Sequence, residues 1–412
     1  MLFRPIACAA LLAVSAAAGA QAAEPSESDA ARALVARLSP PVLPFSESIV
    51  QRLSVPPGFA VTVFASGLGH PRMMEVGADG TVYVTRRDEG DVLALRDSDG
   101  DGRADERRTA LAGLAGVHGI ARRGGELLLA SSTTVWRWPV DGSAAPAVLI
   151  AGLPDGGQHG NRMVRVGPDG GLWITVGSSC NNCAEENQLE RATLMRYDAD
   201  GRNRRIVANG LRNTIGYDWH PGSGVLWGWD HGSDFRGDRF PPEELNRLVD
   251  GRHYGWPVCA GRGVVDRMTN APPERLALQP GQAQPTGEPI SREDFCARTE
   301  PAVGLAAAHS APMAMRFYTG TAFPPALRGD AFVAMHGSWN RGEPAGYEVR
   351  RVRFAADGTP GTSEVFLGGF LDRQAPAVLG RPVGLAIAAD GALLVSDDAN
   401  GAIYRVAWRA PR

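Results

Sequence analysis

The strongest constraint on this chain is an internal repeat. Six segments share one order: a polar cluster, a short apolar run, a turn centred on glycine, then a second apolar run. The first goes from His70-Pro71-Arg72 through Asp79-Gly80 to residues 82–85, and the second from Val117-His118-Gly119 through Gly124-Gly125 to 127–130. The third spans His159 and Arg162, Asp169-Gly170 and 172–176, and the fourth Arg212-Asn213, 221–224 and 225–229. His309-Ser310 with Arg328-Gly329-Asp330, and Arg381-Pro382 with Asp390-Gly391, open the last two. Third strands follow at 92–95, 135–138, 194–197, 347–354 and 403–407. A unit of this kind cannot bury both faces of its small sheet alone, so the units must stack. Gly80, Gly125 and Gly170 are evenly spaced by 45 residues, the length of a four-stranded propeller blade. The expectation is an all-β, six-bladed propeller over residues 55–408, with an insertion at about 251–312. Residues 59–64 form a spare strand ahead of the first unit. It should complete the last blade beside the C-terminal strands and close the ring, removing an exposed sheet edge.

Residues 1–22 carry one arginine, a short apolar run and small-residue A-x-A sites, the pattern of a Sec-type signal peptide. The apolar run is too short for a membrane span, so a periplasmic or secreted protein is expected. Residues 23–54 read as a lead-in with a short helix at 29–38. Cleavage leaves Cys180, Cys183, Cys259 and Cys296. In an oxidising compartment the favoured pairing is Cys180–Cys183 and Cys259–Cys296. A four-cysteine zinc site is the rival, although only one C-x-x-C knuckle is present.

Charge and composition exclude several chemistries. The formal net charge is −3, which argues against a nucleic-acid partner. All 42 basic residues are arginine; without lysine there is no Schiff-base amine and no Walker-A phosphate site.

In a propeller the first strand of each blade lines the central channel. The residues entering those strands should therefore meet at one mouth: His70 and Arg72, His118, His159 and Arg162, Arg212 and Asn213, His309, and Arg381. A ring of imidazoles and guanidiniums suits a planar polyanion, because guanidinium forks match carboxylates bidentately.

Several motifs on this frame resemble the soluble pyrroloquinoline quinone (PQQ)-dependent sugar dehydrogenases. They are His159-Gly-Asn-Arg162, Val166-Gly-Pro-Asp-Gly170, Gly210-Leu-Arg-Asn213, His336-Gly-Ser-Trp-Asn-Arg341 and Gly380-Arg-Pro-Val-Gly384. Gly177-Ser-Ser-Cys180 and His253-Tyr-Gly-Trp-Pro257 resemble the sorbosone dehydrogenase-like branch. The resemblance spans about 56–408. It implies PQQ across the channel mouth, bound to Ca²⁺, with His159 as the catalytic base and Arg212 stabilising developing oxyanion charge. Arg162, Arg212, Asn213, His118, Asn340, Arg341 and Arg381 would face the cofactor, and the backbone of Gly232-Ser233 would hold Ca²⁺. The family's cofactor lysine has no counterpart; Arg341 or Asn340 occupies that region. A family glutamine on PQQ has no counterpart near Leu114–His118, and His118 would do its work. The implied reaction oxidises a sugar or sugar-derived aldehyde or alcohol and hands electrons to a separate acceptor such as a cytochrome c or quinone.

A second calcium signal is independent of that resemblance. Asp97, Asp99, Asp101 and Asp105 stand at positions 1, 3, 5 and 9 of a loop with glycine at 6, the front of an EF-hand-type loop. Position 12 is Arg108, so the motif is not a full EF-hand, and a solvated acidic hairpin is the alternative. Two other functions remain open: a calcium-dependent lactonase, which would need a carboxylate cage at the mouth, and a non-catalytic NHL-like binding propeller.

Overall fold

A computed structural model describes residues 39–155, 157–183, 190–269 and 290–409. The expected signal segment at 1–22 and the helix expected at 29–38 lie outside the described residues. The described chain is almost entirely antiparallel sheet in six four-stranded blades around a channel. Blade 1 comprises Pro71–Val76, Val82–Arg86, Asp91–Arg96 and Glu106–Leu111; blade 2 comprises Gly119–Arg123, Glu126–Ala130, Val135–Pro139 and Ala147–Ile150. Blade 3 comprises Met163–Val166, Leu172–Val176, Thr193–Tyr197 and Arg205–Asn209, and its outer edge takes Arg252–His253 as a parallel fifth strand. Blade 4 is Thr214–Trp219, Leu226–Asp230, Glu243–Arg247 and Gly304–Ala306; blade 5 is Pro312–Phe317, Ala331–Met335, Glu348–Phe354 and Pro360–Leu367. Blade 6 joins Pro382–Ile387, Leu393–Asp397 and Ala402–Trp408 to Phe59–Ala65. Phe59 faces Trp408 and Val61 faces Val406 in the antiparallel register, so the early strand closes the ring as the sequence implied.

Alternation along each strand puts large apolar residues into the seams between blades. Val82, Val84, Leu93 and Leu95 of blade 1 meet Leu394 and Ile403 of blade 6 in one cluster. Trp227 and Trp229 of blade 4 meet Met315, Phe317 and Val333 of blade 5 in another. The innermost strands come closer than a side chain allows. A Cβ on Gly216 would lie 2.1 Å from the Met313 carbonyl, and one on Gly384 2.2 Å from that of Arg72. Glycine at these positions lets neighbouring inner strands touch backbone to backbone.

The inner strands of blades 1, 4, 5 and 6 carry a register shift near the end where the strand enters: Pro71/Met74, Thr214/Gly216, Pro312/Met315 and Pro382/Leu385. Those of blades 2 and 3 pair without one. A bulge bends its strand and re-aims the side chains beside it. The four described cysteines form Cys180–Cys183 and Cys259–Cys296, the favoured pairing, which leaves no thiolate for zinc among the described residues. Among the described residues no helix is long and apolar enough to cross a membrane.

Candidate active site

His159 sits in the loop entering blade 3, beside the end of that blade's second strand. Its Nδ1 lies 3.0 Å from the Ser178 carbonyl and 2.9 Å from Ser178 Oγ. Ser178 Oγ donates onward to the Cys180 carbonyl. A carbonyl only accepts, so Nδ1 carries the proton and Nε2 keeps its lone pair. Burial, then the Arg212 charge and His231, push the imidazole down to about 3, so it is neutral at physiological pH. Gly177 is the packing pivot: a Cβ there would lie 2.5 Å from His159 Cβ and 2.7 Å from Asn213 Oδ1. Only a glycine lets the histidine and the asparagine share this corner.

Arg212 is 2% exposed. Its Nε and Nη2 donate to the carbonyl and the side-chain oxygen of Asn181, both at 2.9 Å, and Nη2 also pairs with Asp234 at 2.8 Å. Nη1 has no partner among the described residues. Asn340 Nδ2 donates to the other Asp234 oxygen at 2.9 Å, and His309 Nδ1 lies 3.8 Å from it. The Cys180–Cys183 loop thus presents Asn181 to the arginine, which explains why a short disulfide loop sits here. Arg381 repeats the arrangement: Nε and Nη2 donate to the His336 and Gly337 carbonyls, the guanidinium lies 5.8 Å from the centre of the Tyr347 ring, and Nη1 is unpartnered among the described residues.

Two buried carboxylates hold these arginines by the backbone. Asp230, ending the second strand of blade 4, accepts from Arg212 N, Asn213 N and Thr214 Oγ1 at 2.8–2.9 Å. Asp397, at the same place in blade 6, accepts from Arg381 N at 2.9 Å and from Tyr404 Oη at 3.1 Å. Neither stands out in the sequence as a functional residue. The one available signal is a carboxylate at the end of an otherwise apolar strand.

The structure corrects several expectations. Arg162 is fully buried rather than at the mouth. Its Nη1 and Nη2 donate to the His159 and Pro154 carbonyls at 2.6 and 2.7 Å, so it braces the histidine loop from below. His118 is also fully buried, between the Arg162 carbonyl and Arg72 Nη2, each 3.3 Å away; burial and Arg72 drive its imidazole well below the usual range. Arg341 donates to the Glu343 and Ala308 carbonyls on the rim, and Asn340 rather than Arg341 enters the Arg212–Asp234 network. The His70 side chain is 60% exposed beside Asp88 and Glu89 and makes no contact with the mouth residues among the described residues. The mouth is also less cationic than the histidines and arginines alone imply. Asp234 offsets Arg212, while Asp398 pairs with Arg72 and accepts a 2.9 Å contact from His336.

At the acidic loop, between the third and fourth strands of blade 1, the carboxylates of Asp97, Asp99 and Asp105 gather within 4.8 Å of one another. Asp101 does not join them; its carboxylate caps Arg103 N at 2.8 Å. At the mouth, Gly232 donates its N–H to the buried Glu243, while the Gly232 and Ser233 carbonyls accept no hydrogen bond among the described residues.

Backbone strain concentrates around the same mouth. Six described residues other than glycine adopt positive φ, and four of them border it: Phe235, His309, Ala311 and Tyr347. Such conformations persist where surrounding contacts over-determine them, and they cluster at functional sites.

These features define a class: a six-bladed propeller whose mouth carries a neutral histidine with a fixed tautomer and two backbone-clamped arginines. Comparison with known proteins narrows it. Residues 53–409 match the TrAA12-like family, and the chain belongs to that family. A PQQ-dependent pyranose dehydrogenase of Coprinopsis cinerea is 25% identical over 413 aligned residues, covering 86% of this chain and 54% of that protein. An uncharacterised protein of Borreliella burgdorferi is 29% identical over 60% of each chain. The chain thus spans little more than half the length of these relatives. The holo PQQ domain of the Coprinopsis pyranose dehydrogenase superposes with a TM-score of 0.69 at 24% identity, over 86% of this chain and 97% of that one; at that identity the likeness establishes the fold.

Proposed function

We propose that the protein is an exported PQQ- and Ca²⁺-dependent dehydrogenase that oxidises a sugar or sugar-derived aldehyde or alcohol. The carrying observation is His159, with Nδ1 pinned by Ser178 and Nε2 free beside Arg212. Family membership and the pyranose dehydrogenase relative support the same reading.

The residues present fit the cofactor. The Asn213 amide makes no side-chain hydrogen bond among the described residues, Asn340 Oδ1 is buried without a partner, and Arg212 and Arg381 each keep one free guanidinium nitrogen. Arg212, Asn213, Asn340 and Arg381 would hold the polyanion, and the carbonyls of Gly232 and Ser233 would hold Ca²⁺. When bound, PQQ supplies a two-electron acceptor and Ca²⁺ a Lewis acid.

The remaining steps belong to the chain itself. His159 Nε2 takes the substrate hydroxyl proton, and Ser178 keeps the ring in the tautomer that can do so. Arg212 Nη1 donates to oxygen as negative charge develops there. The buried Asp230 and Asp397 keep both arginines in place as charge shifts. Electrons then pass to a separate acceptor such as a cytochrome c or quinone. In the acidic loop Asp97, Asp99 and Asp105 would hold a structural Ca²⁺, without Asp101.

A lactonase would need a carboxylate cage at the mouth. Among the described residues Asp234 and Asp398 there are tied to arginine and histidine, Glu243 is tied to the backbone N–H groups of Gly232 and Ala311, and the one group of three metal-competent side chains lies in the blade 1 loop. The decisive experiment adds PQQ and Ca²⁺ to purified protein, measures PQQ binding spectrally, and follows dye reduction with a panel of aldoses and sorbosone. Absence of PQQ binding overturns the reading. Turnover that survives in His159→Ala removes the base assignment alone.

A further inference from the structure

Phe235 is the strained residue the chemistry above leaves unused. It has φ of +61°, in the left-handed region that bulky side chains avoid, and it is 38% exposed. Both neighbours are anchored. Asp234 holds Arg212 and Asn340, and its N–H donates to Asn181 Oδ1 at 2.7 Å; Arg236 pairs with the buried Asp266 at 3.0 Å. Those anchors impose the backbone conformation. Glycine would meet it without strain, and this chain places glycine at most of its other left-handed turns. Here it keeps a large aromatic ring, half out in water.

The ring meets Trp339. Their centroids are 5.5 Å apart and their planes cross at 80°, so the two rings form a corner with nearly perpendicular apolar walls. Trp339 immediately precedes Asn340, and Phe235 immediately follows Asp234, so the two rings are carried by the residues that flank the Arg212–Asp234–Asn340 network. Left-handed strain and an exposed aromatic each oppose stability, and both are met at one residue on the lip of the mouth. Among the described residues the ring belongs to none of the buried apolar clusters, and its one aromatic contact is Trp339.

We infer that Phe235 and Trp339 form the subsite that seats the pyranose ring of the substrate. The C–H face of a pyranose is apolar and flat enough to lie on one wall with its edge against the other, while its hydroxyls point to the polar network beneath. This inference rests on the dehydrogenase reading and adds the residues that choose a ring-shaped substrate.

The test uses the full-length protein loaded with PQQ and Ca²⁺. PQQ affinity is measured first, by spectral titration of the wild type and of Phe235→Gly and Phe235→Tyr. Steady-state kinetics then follow with an aldopyranose, with a short acyclic aldehyde, and with the electron-accepting dye varied. The expected result for Phe235→Gly is unchanged PQQ affinity, KM for the pyranose raised about ten-fold, and kcat within about two-fold, equivalent to about 1.4 kcal/mol of lost ground-state binding. KM for the acyclic aldehyde stays within about two-fold, and Phe235→Tyr restores the pyranose KM. Relief of the left-handed strain leaves Tm unchanged or higher by roughly 1–3 °C, whereas a ring that served only packing would lower it. An unchanged pyranose KM with normal PQQ binding overturns the subsite alone. A change confined to the acceptor's KM also overturns it and marks the corner as the acceptor's docking surface. Failure of the wild type to bind PQQ overturns the dehydrogenase reading and the subsite with it.

Discussion

Asp230 and Asp397 occupy the same position in their blades and should nonetheless respond in opposite ways to the same isosteric change. Asp230 receives fixed donors on both oxygens: Arg212 N on Oδ2, and Asn213 N with Thr214 Oγ1 on Oδ1. Asparagine has one oxygen, so whichever way its amide turns, an NH₂ faces a backbone N–H that cannot reverse. Asp397 receives its backbone donors, Arg381 N, Ala399 N and Asn400 N, all on Oδ1. Its Oδ2 meets the Tyr404 hydroxyl, which can rotate and accept from an amide. Burial raises both carboxyls to about 6, so the relief from removing a buried charge is similar in the two variants and cancels in their difference. What remains for Asp230→Asn is one lost charge-assisted bond and one buried unsatisfied donor, about 2–4 kcal/mol. For Asp397→Asn the remainder is below about 1 kcal/mol. Urea unfolding followed through the nine tryptophans would measure both. Asp230→Asn should also lower kcat, because Arg212 and Asn213 lose their common anchor, while Asp397→Asn should leave it nearly unchanged. Equal losses of stability, or a greater loss for Asp397→Asn, would refute this account of how the arginines are held.

Three further outcomes are expected. ¹⁵N chemical shifts of cofactor-free protein should show His159 protonated on Nδ1 only, and unprotonated on Nε2 down to about pH 3, since burial and Arg212 depress it; a transition near pH 6.5 would contradict the site's electrostatics. Glu244 is buried against Gly261 N and Asn246, and burial raises it from 4.5 to about 8. The folded state therefore binds the proton more tightly than the unfolded chain. That contribution is fully present below about pH 4.5 and is lost as pH rises through about 8, a difference of a few kcal/mol; Glu244→Gln should reduce the pH dependence of Tm across this window, leaving the share of Glu243 and Glu75, which burial also raises. Calcium titration by calorimetry should lose one site in Asp99→Asn and keep it in Asp101→Asn, because only the former belongs to the three-carboxylate cluster.

Blade number and ring closure were readable from sequence because alternation and glycine-centred turns are local properties. The disulfides were readable because the four cysteines beyond the expected leader leave few pairings. The height of each mouth residue was not, and the bulges explain why. In blades 1 and 6 a register shift accompanies the partly exposed Arg72 and Arg381, and in blade 4 it lies just beyond the buried Arg212. In the unbulged blades 2 and 3, the residue just before the strand continues inward, so His118 and Arg162 are buried and His159, three residues earlier, reaches the mouth instead. Bulges depend on how adjacent strands pair, and a single-chain motif does not carry that. Asp230, Asp234, Asp397 and Asp398 escaped notice for a related reason. Asp234 and Asp398 draw partners from other blades, Asn340 for the one and Arg72 and His336 for the other, while Asp230 and Asp397 act on the backbone entering their own blade, which residue type alone does not reveal.

The closing strand also bears on how the molecule comes together in time. Phe59 and Trp408 are neighbours in the sheet and roughly 350 residues apart along the chain. Bringing them together costs about 3 kcal/mol more loop entropy than closing a ten-residue hairpin, and nothing joins them until the final strand exists. The ring is therefore a latch that engages last. Arg381 and Asp398 both lie in the latched blade, so the mouth is incomplete until folding has run its whole course. Covalently the start of the chain is one of six possible cuts in a circle. A permutant opened between blades 2 and 3, with residues 59 and 408 joined by a short linker, would trade that late contact for a local hairpin. It should fold faster than the natural order while building the same site.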